Sequence, residues 1–370
     1  RVWRAESLAE IERLVDLGLF TEALTLATDV EDRFPGDSDL ERLYPSFSFT
    51  VSINTDPQGA QVFVQDMSRP EETWDFLGNT PLEEVRFAGP LESAEWSGDF
   101  YIEDRPHRLR FELEGYRTRE LLKTAVLGVN WRGIPPLDPV HLDPENPELE
   151  GMVRITGFTR DSVEYDDYFI DRYEVTNRQF KEFVDAGGYR NPDYWTHPLI
   201  LDGQEILFDD AMDLLKDQTG RPGPSTWRLG TYPEGQAEYP VGGVSWYEAA
   251  AYAEWAGREL PVSLQQSYAR RYYRENSFII VPRSNLGSDG PRPVGQNAAM
   301  TTLGVYDLIG NVREWLYNEA GPGERITRGG AWTDAPFHVG WNIPKPAFDR
   351  DPTNGFRTAK ALDGEEELEA

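Results

Sequence analysis

The chain contains no cysteine among its 370 residues. It therefore has no disulfide bond, no thiolate nucleophile and no cysteine-based zinc or copper site. No apolar run approaches the roughly 20 residues that a membrane-spanning helix requires, and no signal peptide is visible. Because the chain begins with Arg1 rather than Met, we expect a fragment or a processed product, with a membrane anchor or a further domain upstream.

Basic residues are scarce, since 36 Lys and Arg stand against 65 Asp and Glu and give a net charge of −29. This balance argues against nucleic acid as a partner, because phosphate binding needs clustered Lys and Arg. It argues equally against docking on anionic lipid. Hydrophobic residues make up 39% of the chain, which is typical of folded proteins. The length allows two or three domains.

Residues 1–40 carry a helical pattern that is interrupted once. Leu8, Ile11 and Leu14 recur at helical spacing, Gly18 lies where a helix would stop, and a second apolar face continues to about residue 34. The segment resembles a single tetratricopeptide-type helical hairpin. One hairpin cannot bury its own apolar face, so we expect it to pack on the next domain or to act as a spacer.

Residues 46–139 change to the alternating period of β-strands, as in 47–53, 61–64 and 107–112. Turn residues separate these runs. Their order resembles the PEGA domain, a small all-β module of bacterial surface proteins, which implies no catalytic role. The turn motifs are Asp-Pro-Gln-Gly-Ala at 56–60, Leu-Gly-Asn-Thr-Pro-Leu at 77–82 and Glu-Gly-Tyr at 114–116.

A linker with two prolines at residues 140–147 precedes a third domain at 150–362, and an acidic tail follows at 363–370. Two helices of this domain are predicted to begin with capping boxes, one at Thr176 with Gln179 and one at Ser245 with Glu248. Irregular loops separate the helices, and short strands lie near the end. The pattern favours a mixed α+β fold.

Seven motifs in this domain resemble, in order, the formylglycine-generating enzyme (sulfatase-modifying factor) family. The resemblance implies a C-type lectin-like fold. Active members oxidise a cysteine with catalytic cysteines that follow an Arg-Gly-Gly block, and this chain has none there, so the resemblance implies a pseudoenzyme without catalytic residues. The motifs are Glu-Val-Thr-Asn at 174–177, Pro-Val-Gly-Gly-Val-Ser-Trp at 240–246, Leu-Pro at 260–261, Gly-Val-Tyr-Asp at 304–307, Gly-Asn-Val-Arg-Glu-Trp at 310–315, Arg-Gly-Gly at 328–330 and Gly-Phe-Arg at 355–357.

The order of a helical hairpin, a PEGA-like segment and this domain resembles the extracytoplasmic C-terminal region of bacterial transmembrane serine/threonine kinases. That resemblance implies a kinase domain and a membrane helix upstream in the native chain. The residues themselves contain neither a Gly-rich phosphate loop with its strand lysine nor a His-Arg-Asp loop. Kinase activity therefore does not belong to this segment.

Asn311, Val312 and Glu314 are the predicted metal ligands. An amide oxygen, a backbone carbonyl and a carboxylate suit a hard cation such as calcium, and family members use this segment that way. The alternative is that Glu314 pairs with an arginine and Asn311 caps a turn. Residues 285–289 could hold a second ion. No iron or copper is expected, because the four histidines are scattered, at positions 107, 141, 197 and 338.

Trp332, Asp334, His338 and Trp341 are the predicted ligand-binding residues. They lie in a turn-rich stretch after Arg-Gly-Gly, and exposed aromatic residues on a loop can form a ligand surface. Core packing is the alternative for the aromatic residues. Arg328, Arg357 and Glu174 are expected to be structural, because a buried arginine needs a carboxylate partner.

We therefore expect a noncatalytic ligand-binding or sensory ectodomain, located outside the cytoplasm and anchored to the membrane in the full-length protein. Its expected ligand is a cell-wall fragment, a sugar or a peptide. Two alternatives stay open: an enzyme with non-cysteine chemistry on the same scaffold, and a hypervariable ligand-binding protein of C-type lectin-like fold.

Overall fold

The computed structural model describes residues 2–66, 73–89, 107–123, 139–160, 163–270 and 280–362. The predicted acidic tail at 363–370 lies outside the described residues. The chain forms two compact units, Arg1–Glu145 and Asn146–Ala370. Within the described ranges, none of the helices is long and apolar enough to cross a membrane.

The first unit begins with three helices: α1 (Val2–Asp16), α2 (Phe20–Arg33) and α3 (Ser38–Phe47). Gly18, at φ 72°, separates α1 from α2. The side chain of Asp37 accepts hydrogen bonds from the backbone N–H groups of Asp39 and Leu40 and so caps α3. The sequence pattern did not predict α3. Its residues Leu40, Tyr44 and Phe47 complete an apolar core with α1 and α2.

The rest of the first unit is built from eight short strands. The largest sheet has the order β4-β3-β6-β7, and two smaller pairs join β1 to β5 and β2 to β8. The strands are β1 (Ser48–Ile53), β2 (Thr55–Asp56), β3 (Gln61–Asp66), β4 (Asp75–Asn79), β5 (Leu82–Ala88), β6 (His107–Glu112), β7 (Arg119–Lys123) and β8 (Val140–His141). The PEGA assignment of this segment stays a prediction.

The second unit contains two main sheets, with strand orders β19-β12-β9 and β17-β16-β15-β18. Two hairpins, β10-β11 and β13-β14, lie outside them. The strands are β9 (Met152–Ile155), β10 (Phe158–Arg160), β11 (Val163–Tyr165), β12 (Tyr168–Asp171), β13 (Ile200–Leu201), β14 (Gln204–Glu205), β15 (Arg313–Gly321), β16 (Glu324–Arg328), β17 (Ile343–Pro346), β18 (Asn354–Gly355) and β19 (Ala359–Ala361).

Four α-helices pack with these sheets: α4 (Asn177–Asp185), α5 (Phe208–Leu214), α6 (Trp246–Trp255) and α7 (Ser263–Arg270). Both predicted capping boxes are confirmed, because Thr176 with Gln179 and Ser245 with Glu248 each form the two reciprocal hydrogen bonds at the starts of α4 and α6. Short 3₁₀ turns occur at Pro147–Leu149, Pro192–Tyr194, Val281–Arg283 and Pro336–His338.

The largest core of the second unit is rich in aromatic residues. It includes the fully buried side chains of Phe180, Trp227, Trp246 and Trp315. The indole N–H of Trp315 donates to the carbonyl of Val244 at 2.9 Å, so this residue links β15 to the segment before α6. The mixed α+β composition is confirmed, and much of the connecting backbone is irregular.

Candidate functional site

The predicted metal residues lie inside the second unit. Asn311 is fully buried and has a left-handed backbone with φ 61°, a conformation that asparagine tolerates better than most residues. Gly310 before it has φ 83°, and a Cβ atom there would lie 2.6 Å from the carbonyl oxygen of Asn285. Glycine is therefore required at this close approach.

Glu314, on β15, forms a buried ion pair with Arg357. Its Oε1 accepts from Nη2 of Arg357 at 2.6 Å and from Nε at 2.9 Å, and its Oε2 accepts from Nε2 of Gln266 at 2.9 Å. Arg357 also donates to the backbone carbonyls of Asp171 and Tyr306, each at 2.9 Å. This pair ties three separate sequence motifs together in the interior.

Asn311 joins a second part of the same network. Its Nδ2 donates to Oε2 of Glu174 at 3.0 Å. Its Oδ1 accepts from Nδ2 of Asn285 at 3.1 Å and from the backbone N–H of Arg292 at 2.9 Å. The backbone N–H of Val312 donates to Oε1 of Glu174 at 3.3 Å. We call Glu174, Asp307, Asn311, Glu314 and Arg357 the signature network.

This geometry does not fit a cation at the predicted calcium ligands. The side-chain oxygens of Asn311 and Glu314 each accept from nitrogen donors, whereas a calcium ligand must point its lone pairs at the ion. Glu314 instead pairs with arginine, as in the alternative interpretation. Residues 285–289 are also occupied, since Oδ1 of Asn285 accepts from the Ser288 hydroxyl at 2.7 Å. Calcium binding stays a prediction, and thermal unfolding with calcium and with chelator would test it.

Carboxylates outnumber guanidinium groups in the signature network. Burial raises the pKa of the Glu174 carboxyl well above its usual value, and the charge of Asp307 raises it further. Burial also raises the pKa of Asp307 to about 6, although hydrogen bonds from the Gly295 N–H at 2.8 Å and the Asn297 amide at 3.1 Å favour its ionised form. Both groups thus favour the protonated form more than free carboxyl groups do.

A different arrangement follows the Arg-Gly-Gly block. Residues 331–341, which we call the aromatic loop, expose Phe337 and Trp341, whose exposed fractions are 69% and 58%. The ring of His338 lies between them, with ring centroids 4.1 Å from Phe337 and 5.0 Å from Trp341. We call these three residues the aromatic cluster. Phe337 was not among the predicted ligand-binding residues, although its position between two of them was a usable signal.

Two anchors hold the aromatic loop on either side of the cluster. Asp334 is buried, and its carboxylate pairs with Arg313 and accepts from the backbone N–H of Ala331 at 2.9 Å. Val339 is also buried, and its carbonyl accepts from Nη1 of Arg270 at 2.6 Å. Within the turn, the N–H of Trp341 donates to the carbonyl of His338 at 3.0 Å. The rings are therefore presented by a fixed backbone.

The four predicted ligand-binding residues take three different roles. His338 and Trp341 meet in the aromatic cluster. Asp334 lies beneath it as an anchor rather than at the surface. Trp332 is half-buried, and its backbone bonds to Asn311 and Ser288 connect the loop to the signature network and to residues 285–290.

Gln266 and Asp307 are the network residues that sequence reasoning missed. Asp307 lies in the Gly-Val-Tyr-Asp motif and so carried a signal, whereas Gln266, in the middle of α7, had none. The second histidine of this unit, His197, lies apart from the aromatic cluster, with its ring 4.9 Å from that of Trp246. Among the described residues, no three His, Asp or Glu side chains are grouped so that they could hold a metal ion.

Comparison with known proteins bears on this unit. The family model described as sulfatase-modifying factor enzyme 1-like domain matches residues 146–362. Hercynine oxygenase of Mycolicibacterium smegmatis is 29% identical over 222 residues, which are 50% of this chain and 49% of that protein. Inactive C-alpha-formylglycine-generating enzyme 2 of Mus musculus is 30% identical over 203 residues, which are 45% of this chain and 64% of that protein.

A third relative is the serine/threonine-protein kinase Pkn1 of Chlamydia trachomatis, which is 28% identical over 223 residues. These cover 52% of this chain and 33% of the kinase. The chain thus spans between about one third and two thirds of the length of these relatives, two of which are named as enzymes and one as inactive.

Proposed function

Since the chain belongs to the sulfatase-modifying factor enzyme 1-like family, we propose that residues 146–362 form a noncatalytic ligand-binding domain. Its binding surface is the aromatic cluster, and its ligand is a cell-wall fragment, a sugar or a peptide. In the full-length protein the domain acts as a sensory ectodomain outside the cytoplasm, attached to a membrane-anchored serine/threonine kinase. The relation to Pkn1 supports the link to a kinase.

The exposed aromatic cluster carries the proposal. Monomeric proteins rarely expose several large apolar rings side by side, and such patches mark interaction surfaces. Aromatic residues dominate binding hot spots because they contribute large contact areas with few rotatable bonds. The anchors at Asp334 and Val339 fix the backbone before a ligand arrives, which lowers the entropy cost of binding.

The noncatalytic part of the proposal depends on what the scaffold offers chemically. With no cysteine in the chain, a thiol reaction is impossible. The two carboxyl groups with raised pKa, Glu174 and Asp307, are each only 1% exposed and are enclosed by hydrogen-bond donors. A general acid or base must reach its substrate, and neither group does in this conformation. The relation to an inactive formylglycine-generating enzyme supports the same conclusion.

Isothermal titration of the whole chain against cell-wall fragments, sugars and peptides tests this proposal. We expect one of these classes to bind, and we expect Trp341→Ala to weaken that binding by about tenfold or more. Phe76→Ala is the matched control, because Phe76 is an aromatic residue of the first unit with an exposed fraction of 56%. Absence of binding across the whole panel, or equal affinity of the Trp341→Ala variant, would refute the proposed surface.

A further inference from the structure

A strained turn lies on the second unit, away from the residues of the proposed ligand surface. Leu229 has φ 56° and Gly230 has φ 74°. Arg228 and Thr231 close the turn with reciprocal backbone hydrogen bonds of 3.0 and 3.1 Å. Two-residue turns with left-handed backbone at both central positions usually contain Asn-Gly, because a larger side chain is strained at the first position. Here a leucine occupies it, and 62% of that leucine is exposed.

Three hydrogen bonds hold the turn in this conformation. The N–H of Leu229 donates to the Thr219 hydroxyl at 2.8 Å, and its carbonyl accepts from Nη1 of Arg221 at 2.8 Å. The N–H of Gly230 donates to Oδ2 of the buried Asp217 at 2.6 Å. The backbone is thus fixed while the apolar side chain gains little burial. An outlier of this kind points to a functional reason for the leucine.

Two further exposed leucines lie on the neighbouring helix. Leu207 caps the start of α5 and Leu214 is its last residue, with exposed fractions of 75% and 47%. They are seven positions apart, so they lie on the same side of the helix, two turns from each other. Residues 217–221, which hold the strained turn, follow α5 almost directly. We call Leu207, Leu214 and Leu229 the leucine patch.

The two ends of the leucine patch carry opposite charges. Beside the turn, Arg221 and Arg228 are exposed, and on α5 the side chains of Asp209 and Asp210 are exposed. In the part of the chain that the structure describes, none of these four residues forms an ion pair within the protein. A basic apolar turn and an acidic apolar helix on one surface match the requirement for a two-fold symmetric contact, in which each patch meets its own copy.

We propose that the leucine patch is the interface between two copies of this chain. In that dimer, Leu229 of one copy packs against Leu207 and Leu214 of the other, and Arg221 and Arg228 face Asp209 and Asp210 across the contact. Charge complementarity selects this occupant, since a net charge of −29 on each copy would otherwise drive two copies apart.

Sedimentation velocity of the whole chain at increasing concentration tests the proposal. We expect a monomer–dimer equilibrium that weakens as salt is added, because the paired charges are screened. Leu229→Asn should shift the equilibrium to monomer while raising the melting temperature, because asparagine tolerates the left-handed conformation that strains leucine. Val163→Asn, at an exposed residue outside the patch, is the matched control and should leave the dimer intact.

Charge reversal gives an independent check that does not depend on strain. The double variants Arg221→Glu/Arg228→Glu and Asp209→Lys/Asp210→Lys should each be monomeric alone, because like charges then meet in the contact. Mixed in equal amounts, they should form a heterodimer through one restored half of the interface. A monomer at every concentration, or a dimer that both Leu229→Asn and the charge reversals leave unchanged, would overturn the proposal.

Discussion

The signature network and the aromatic loop follow each other in the chain but differ in every physical respect. The network is buried, charged and fully engaged in hydrogen bonds. The loop exposes apolar rings and is held by two anchors. The motifs that identify the family therefore build the interior of the fold, whereas the proposed ligand surface lies in a stretch that carries no family motif. Family membership thus predicts the scaffold far better than the activity.

Removing Arg357 should give the largest effect on this comparison. Arg357→Ala leaves Glu314 buried without its ion-pair partner, and breaking a buried pair from one side costs about 3–5 kcal/mol. We expect the second unit to lose that much of its free energy of unfolding, measured by urea denaturation. The matched control is Arg221→Ala, at an exposed arginine, which should change the free energy by no more than about 0.5 kcal/mol. Equal effects of the two substitutions would contradict a structural role for the network.

The pH dependence of stability should distinguish the two regions next. The pKa of Asp307 is raised in the folded protein to about 6, so the folded state binds a proton more tightly than the unfolded chain. The resulting stabilisation is fully present below about pH 4 and is lost as the pH rises through 6. Its full size is about 3 kcal/mol. Glu174 should act in the same direction, because its pKa is raised as well.

Urea denaturation between pH 4.5 and 8 at high salt measures this term. Salt screens the repulsion among the exposed carboxylates, which would otherwise mask it. Asp307→Asn removes one titrating group, so the stability of the wild-type chain relative to this variant should fall as the pH rises through 6. A constant difference across that range would show that Asp307 does not retain a proton.

Loosening the aromatic loop should have an intermediate effect. Asp334→Ala removes the partner of Arg313 and the acceptor for the Ala331 N–H, and losing hydrogen bonds of this kind costs about 1–3 kcal/mol. We expect the variant to fold with reduced stability and to show altered tryptophan fluorescence from Trp332 and Trp341. A normal spectrum and normal stability would mean that Asp334 does not hold the loop.

The capping boxes show which features the sequence could predict. Thr176 with Gln179 and Ser245 with Glu248 are local signals, since both partners lie within one helical turn, and the structure contains both helices. Helix α3 was missed because Pro45 lies inside it and the preceding Phe-Pro-Gly-Asp reads as a turn. Its stability comes from packing against α1 and α2, which a local pattern does not reveal.

The signature network shows where prediction from sequence stops. An Asn-Val-x-Glu segment can hold a cation or bond to protein donors, and both choices use the same residues. The deciding partner, Arg357, is 43 positions away in the chain, and Gln266 lies on α7 without any motif. The aromatic residues of the loop could likewise be core or surface, and only the buried positions of Asp334 and Val339 show that the rings between them face outward.

The most direct measurement compares stability with binding when the aromatic cluster is removed. In a triple variant, Phe337→Ser/His338→Ser/Trp341→Ser, we expect the free energy of unfolding to change by about 1 kcal/mol or less, because exposed side chains contribute little to stability. The same variant should lose measurable binding of the ligand identified by titration. A loss of stability comparable to that of Arg357→Ala, with binding retained, would contradict the division of the domain into a buried scaffold and an exposed ligand surface.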